Sequence, residues 1–131
     1  YHYLPPSDYV DASGILPGVV AQHAIECGLP VRRGTTWTTD APYRETHSQI
    51  ERHRAAGILS AEMEAAALMA LSQVRHADIA SLLHVTNSFA TAENDFHKGS
   101  EDVHEKIIGC CLNAFADVIS SGAESNSNEN A

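Results

Sequence analysis

No stretch of this chain approaches the roughly 20 consecutive apolar residues that a membrane-spanning helix needs, and no basic, apolar leader opens it as a signal peptide would. Positive charge is scarce. Eight Lys and Arg stand against seventeen Asp and Glu, a formal charge of −9, which is the wrong sign for a nucleic-acid binder held by phosphate contacts. Cysteine is scarcer still. Cys27, Cys110 and Cys111 are too few and too awkwardly placed for a disulfide framework, so a reducing, cytoplasmic setting with no membrane partner is expected. The familiar catalytic and metal motifs are missing too: there is no His-Glu-x-x-His, no paired-cysteine spacing, no Gly-x-Ser-x-Gly elbow and no Walker loop. The eight histidines do not compensate. His47 and His53 lie six apart, on different faces of a helix, and His97 and His104 flank a loop and a helix start. No metal is expected.

What is present suits one domain with a real core: 131 residues, 44% hydrophobic and 19% charged. The chain begins at Tyr1 rather than at a methionine, so it is expected to be a piece of something longer. The Tyr1–Tyr9 segment is proline-broken and reads as extended. Val19, Val20, Ala24, Ile25 and Cys27 recur at helical spacing from Pro17, and Gly28 supplies a stop. Val31 to Thr39, rich in β-branched residues around Trp37, predicts a strand. Thr46-His47-Ser48-Gln49 fits a capping box and opens a polar helix that ends near Gly57. Ile58 to Glu62 predicts a short strand, Met63 to Val74 a helix, and Asp78 to Thr86 a further buried strand. Ser100, with Glu101 and Asp102 behind it, opens the last helix. Its apolar stripe is Val103, Ile107, Ile108, Cys111, Leu112, Phe115, Val118 and Ile119. The low-complexity residues 122–131 are expected to be a disordered tail.

Strands alternating with helices predict an α/β fold with largely parallel pairing. Three strands make a thin parallel sheet, since both faces need covering. Half of a larger sheet fits better.

The most informative stretch is Gly57-Ile58-Leu59-Ser60-Ala61-Glu62-Met63-Glu64-Ala65-Ala66-Ala67-Leu68, where two carboxylates sit in the most apolar window of the chain. If the strand persists, Glu62 and Glu64 share one side and Met63 faces the other. In open α/β sheets ligands bind beyond the carboxyl ends of strands. A carboxylate held there can accept two hydroxyl hydrogen bonds from a polyol. The same pattern also fits two solvated acids in the first turn of a helix, favoured by its dipole. The two readings stay open at this point. The loops Thr39-Asp40-Ala41-Pro42-Tyr43-Arg44-Glu45 and Thr86-Asn87-Ser88-Phe89-Ala90-Thr91 set small polar groups beside an aromatic, as a pocket for a flat ring would. Ordinary turn chemistry accounts for the same residues. Cys110 and Cys111 sit mid-helix beside core positions and read as buried, inert thiols.

The Gly57–Leu68 segment resembles the ribose-binding signature of the nucleoside phosphorylase family, which includes purine nucleoside and uridine phosphorylases and related nucleosidases. Thr38-Thr39-Asp40-Ala41-Pro42-Tyr43 is similar to its base-pocket segment, and Val85-Thr86-Asn87-Ser88 falls where the family places the residue facing the base. The three segments agree in order and spacing.

The resemblance implies that residues 1–121 are the C-terminal part of a three-layer α/β/α domain with a mixed, largely parallel sheet. It implies phosphorolysis of a purine or pyrimidine ribonucleoside, with inorganic phosphate as co-substrate, no other cofactor, and a homo-oligomer at full length. Glu64 would hold the ribose hydroxyls, Met63 would pack on the sugar, and Glu62 would shape that site. Tyr43 would lie near the base, and Asn87 would donate to the leaving base.

There are departures. Asn87 stands where the hexameric purine enzymes and the nucleosidases carry an aspartic acid, and an asparagine delivers no proton. Uridine phosphorylases tend to have asparagine there, but the Tyr43–Ile58 segment is too short for their uracil-recognition insert. Pro42 replaces the usual aromatic. The family's phosphate-binding glycine and arginine motifs belong to a first half that is not in this sequence. Two alternatives accompany the phosphorylase reading: a non-catalytic nucleoside-sensing module of the same fold, and a hydrolytic nucleosidase.

Overall fold

The computed structural model describes residues 4–41, 44–87 and 100–128. Among them six elements follow one another: α1 (Leu16–Glu26), β1 (Thr36–Thr38), α2 (His47–Ala55), β2 (Ser60–Glu62), α3 (Ala65–Arg75) and α4 (Glu101–Asn128). They fall into two compact units, Tyr1–Gly14 with Arg32–Ile79, and Ile15–Val31 with Ala80–Ala131. No helix of the described residues is long and apolar enough to cross a membrane.

The first unit carries the sheet. β1 and β2 pair in parallel, with Thr36 opposite Ser60, Trp37 opposite Ala61 and Thr38 opposite Glu62. Parallel neighbours need a crossover between them, and α2 lies within it. Helices with a small parallel sheet are what the alternating pattern predicts. The strand expected over Val31–Thr39 is shorter in the structure, because a ladder lasts only as long as its partner. One bond extends it at each end, from Leu59 N–H to the Thr35 carbonyl (2.9 Å) and from Thr39 N–H to the Glu62 carbonyl (2.8 Å).

α2 opens on the expected capping box: the Thr46 hydroxyl accepts from Gln49 N–H (3.3 Å), and the Gln49 side chain accepts from Thr46 N–H (3.0 Å). It buries no residue completely. Its inward contact is His53, which stacks on Trp37 of β1 with ring centroids 4.2 Å apart. Gly57 closes it at φ +77°, a left-handed conformation that costs glycine little. α3 buries Ala65, Met69 and Ser72, spaced four and three apart as one helix face requires. The buried Ser72 hydroxyl is satisfied, since it donates to the Ala77 carbonyl (2.6 Å) and lies 3.0 Å from the Ser13 hydroxyl.

In the second unit α1 ends as expected at Gly28 (φ +75°), with Leu29 N–H returning to the Ala24 carbonyl at 3.0 Å. α1 packs on α4. The fully buried side chains of this unit are small: Ala24, Cys110 and Ala114. That corrects the apolar stripe expected for α4. Ile108, Leu112, Phe115 and Ile119 are more than half exposed, while Cys110 and Ala114, four apart, make the close approach that larger side chains would prevent. Helical backbone also continues through Asn128, past the Ser121 boundary expected from composition.

The strand expected over Asp78–Thr86 is absent. Burial alternates residue by residue from Ser81 to Asn87, as one face of a strand would, but no neighbouring strand among the described residues pairs with it. His84 instead rests edge-on against His104 of α4, at 5.2 Å between centroids.

The capping box gives a local test. Thr46→Ala is expected to weaken the start of α2 by about 1 kcal/mol, read as roughly fivefold faster amide exchange over residues 47–50. Unchanged exchange there would mean that the box contributes nothing.

Candidate functional site

The two sequence-selected carboxylates part at the end of β2. That strand stops at Glu62, a two-residue turn follows, and α3 begins at Ala65. Glu62 and Glu64 therefore do not share a strand face. The reason lies in the helix: its first N–H groups have no partner within it and need acceptors nearby. Glu62 turns back to supply them. Its Oε2 accepts from Glu64 N–H (2.7 Å) and Ala65 N–H (2.5 Å), and its Oε1 accepts from the Thr38 hydroxyl. Thr38 Oγ1 accepts in turn from Ala66 N–H at 3.0 Å. The register that sets Thr38 opposite Glu62 thus places one hydroxyl between the end of β1 and the first turn of α3. Bonds to an ionised group contribute about 1.5–3 kcal/mol each, and a carboxylate at this end is favoured by the helix dipole.

Glu64 is placed differently. It is exposed, and its Oε2 accepts only a long bond, 3.2 Å, from Met63 N–H. Among the described residues its other oxygen has no hydrogen-bond partner. Met63 is 49% exposed beside it. Of the pair, then, one carboxylate is committed to the fold and the other faces outward, with acceptor capacity for a diol. The backbone N–H groups of Met63, Glu64, Ala65 and Ala66 all go to side chains. Much of the start of α3, by position a natural anion site, is thus taken up by these side chains.

Beyond the end of β1, Thr39 is buried and its hydroxyl accepts from Ala41 N–H at 3.3 Å, while Arg44 N–H closes on the Ala41 carbonyl at 2.8 Å. The loop so folded bounds an open cleft of about 180 Å³, whose walls include Trp37, Thr38, Asp40, Arg44, Glu45 and Gln49. Small-molecule pockets usually exceed about 300 Å³. Tyr43 and Pro42, which belong to this loop, lie outside the described residues, as do Ser88 and Phe89 of the other loop. Asn87 belongs to the second unit, where it is exposed and its amide donates to Thr86 Oγ1 at 2.9 Å. Among the described residues no three His, Cys or acidic side chains gather into a metal-binding set.

Sequence reasoning placed Arg44 and Glu45 in a pocket-lining loop, but missed Thr38 as the link between β1 and Glu62, and Trp37 and Gln49 as cleft walls. For Thr38 the signal was the strand pairing: once the two strands are aligned, it is the residue facing Glu62. The unequal duties of the two glutamates make a test. Glu62→Ala is expected to lower stability to urea by about 1–2 kcal/mol, and Glu64→Ala by no more than about 0.5 kcal/mol. Equal losses would refute the helix-capping role of Glu62.

Comparison with known proteins identifies the family. The family model described as the phosphorylase superfamily matches residues 1–118. A purine nucleoside phosphorylase of the DeoD type from Bacillus cereus is 30% identical over 89 residues, which is 68% of this chain and 38% of that protein. The chain thus spans well under half the length of that curated relative. No solved structure matches it significantly. On the match over residues 1–118, the chain belongs to the phosphorylase superfamily.

Proposed function

We propose that residues 1–121 form the C-terminal, ribose-and-base part of a nucleoside phosphorylase, within a three-layer α/β/α domain whose mixed, largely parallel sheet extends beyond β1 and β2. The whole enzyme would cleave a purine or pyrimidine ribonucleoside with inorganic phosphate, giving free base and ribose 1-phosphate. The observation that carries this reading is the outward-facing Glu64 on a turn that Glu62 and Thr38 hold fixed. Glu64 accepts the ribose hydroxyls, and Met63, exposed beside it, packs on the sugar. As the glycosidic bond loosens, the ribosyl group gains positive charge, and a fixed carboxylate favours that charge and holds the sugar in line for attack.

Tyr43 and the cleft beyond β1 take the base. Asn87 donates a hydrogen bond to the leaving base without supplying a proton, so departure relies on stabilising a developing anion. Phosphate needs donors of its own. Glu62 at the start of α3 disfavours an anion there, which supports a phosphate cradle elsewhere in the whole enzyme. The full-length protein is proposed to act in the cytoplasm as a homo-oligomer. Asn87 also favours a second reading, a nucleoside-binding module without turnover, and weighs against a hydrolytic nucleosidase, which needs the proton.

The test is base release by the protein at the length found in its source cells, with adenosine, inosine and uridine. Release that requires phosphate, and that falls about a hundredfold or more in Glu64→Ala, is the expected result. Release without phosphate would make the protein a nucleosidase. Binding that Glu64→Ala abolishes, with no release under any condition, would establish the binding module.

A further inference from the structure

The crossing of α1 and α4 brings together two cysteines that lie far apart in sequence and that the proposed reaction does not use. Cys27 follows the last turn of α1 and is exposed, whereas Cys110 is buried in the middle of α4. One carbonyl oxygen serves both: His23 O accepts from Cys27 N–H at 2.9 Å and from the Cys110 thiol at 3.7 Å. That shared oxygen sets the Cys110 thiol beside the end of α1 that carries Cys27. Farther along α4, His23 Nε2 meets Asp117 Oδ2 at 2.8 Å, which holds the two helices at this crossing.

We propose that Cys27 and Cys110 form an oxidation-sensitive pair, which a hydroperoxide converts into an intramolecular disulfide joining α1 to α4. The order of events follows from accessibility. Cys27, at the surface, meets the oxidant first: its thiolate attacks one peroxide oxygen, the O–O bond breaks, and with hydrogen peroxide one water leaves and Cys27 becomes a sulfenic acid. Cys110, as thiolate, then attacks the Cys27 sulfur, the S–O bond breaks, and the oxygen leaves as a second water. The two thiols lose two electrons and two protons in all, and the peroxide takes them up. Burial, with hydrogen bonding to Cys27 and the charges of Cys27 and Cys111, pushes the Cys110 thiol up to about 11. Cys110 is therefore a poor first nucleophile, and it reacts only with a sulfur already held beside it. Its closing step is expected to speed up as pH rises. A site of this kind operates in a reducing compartment, because it forms under peroxide and is reversed by thiol exchange.

The experiment treats the folded, fully reduced protein at its native length with hydrogen peroxide, then blocks remaining thiols under denaturing conditions and maps the peptides. The expected product is a linked peptide pair containing Cys27 and Cys110, lighter by two hydrogens, with Cys111 blocked and the link lost on treatment with dithiothreitol. Cys111→Ala keeps the link, and Cys27→Ser loses it; neither replaces the buried Cys110. Four outcomes overturn the proposal: a Cys27–Cys111 link, a Cys27–Cys27 link between two molecules, Cys27 advancing to sulfinic acid while Cys110 remains free, or all three thiols recovered at a dose that fully oxidises glutathione.

Discussion

The start of α3 presents backbone N–H groups that the helix itself does not satisfy, and the way this chain satisfies them arranges much of the first unit. Glu62 gives both carboxylate oxygens to the task and Thr38 gives its hydroxyl. Because Thr38 stands on β1, the same bonds fix the pairing of the two strands at their carboxyl ends. The turn between β2 and α3 is thus pinned from three directions. Glu64 is carried on that turn with its own carboxylate pointing away. A rigid turn bearing one uncommitted acid is what a sugar-gripping group needs, since an acid on a mobile loop would lose in ordering what it gained in binding.

This division also bears on phosphate. Helix N-termini are common anion sites because donors and dipole point the same way. Here an internal anion occupies that position. A negatively charged ligand brought to the same place would meet Glu62 and find most of the donors taken. Under the proposed function, phosphate is therefore held elsewhere than at this helix start.

Much of the local structure was legible in the residues. The Thr46–Gln49 capping box, the stops at Gly28 and Gly57 and the parallel strand pairing all follow from short-range chemistry, and all reappear in the structure. What failed needed tertiary information. Residues 78–86 have strand-like composition, and burial alternates from Ser81 on, but a strand exists only with a partner, and none among the described residues pairs with it. The stripe of α4 was drawn through its largest apolar side chains, whereas the contact with α1 is made by Cys110 and Ala114, whose small size is what permits it. A shared strand face for Glu62 and Glu64 required a strand that continues. The helix's demand for acceptors ended it. The nearness of Cys27 to Cys110 is likewise a product of helix crossing that no spacing rule supplies.

The central claim is that Glu64 holds ribose hydroxyls while Glu62 holds the turn. The most direct measurement is calorimetric titration, without phosphate, of the native-length protein with a ribonucleoside and with its 2′,3′-dideoxy counterpart. The account predicts that the ribonucleoside binds about tenfold or more tightly, as expected for hydroxyl bonds to an ionised acceptor, and that Glu64→Gln removes most of that difference. Equal affinity for the two ligands, or a difference untouched by Glu64→Gln, would contradict it.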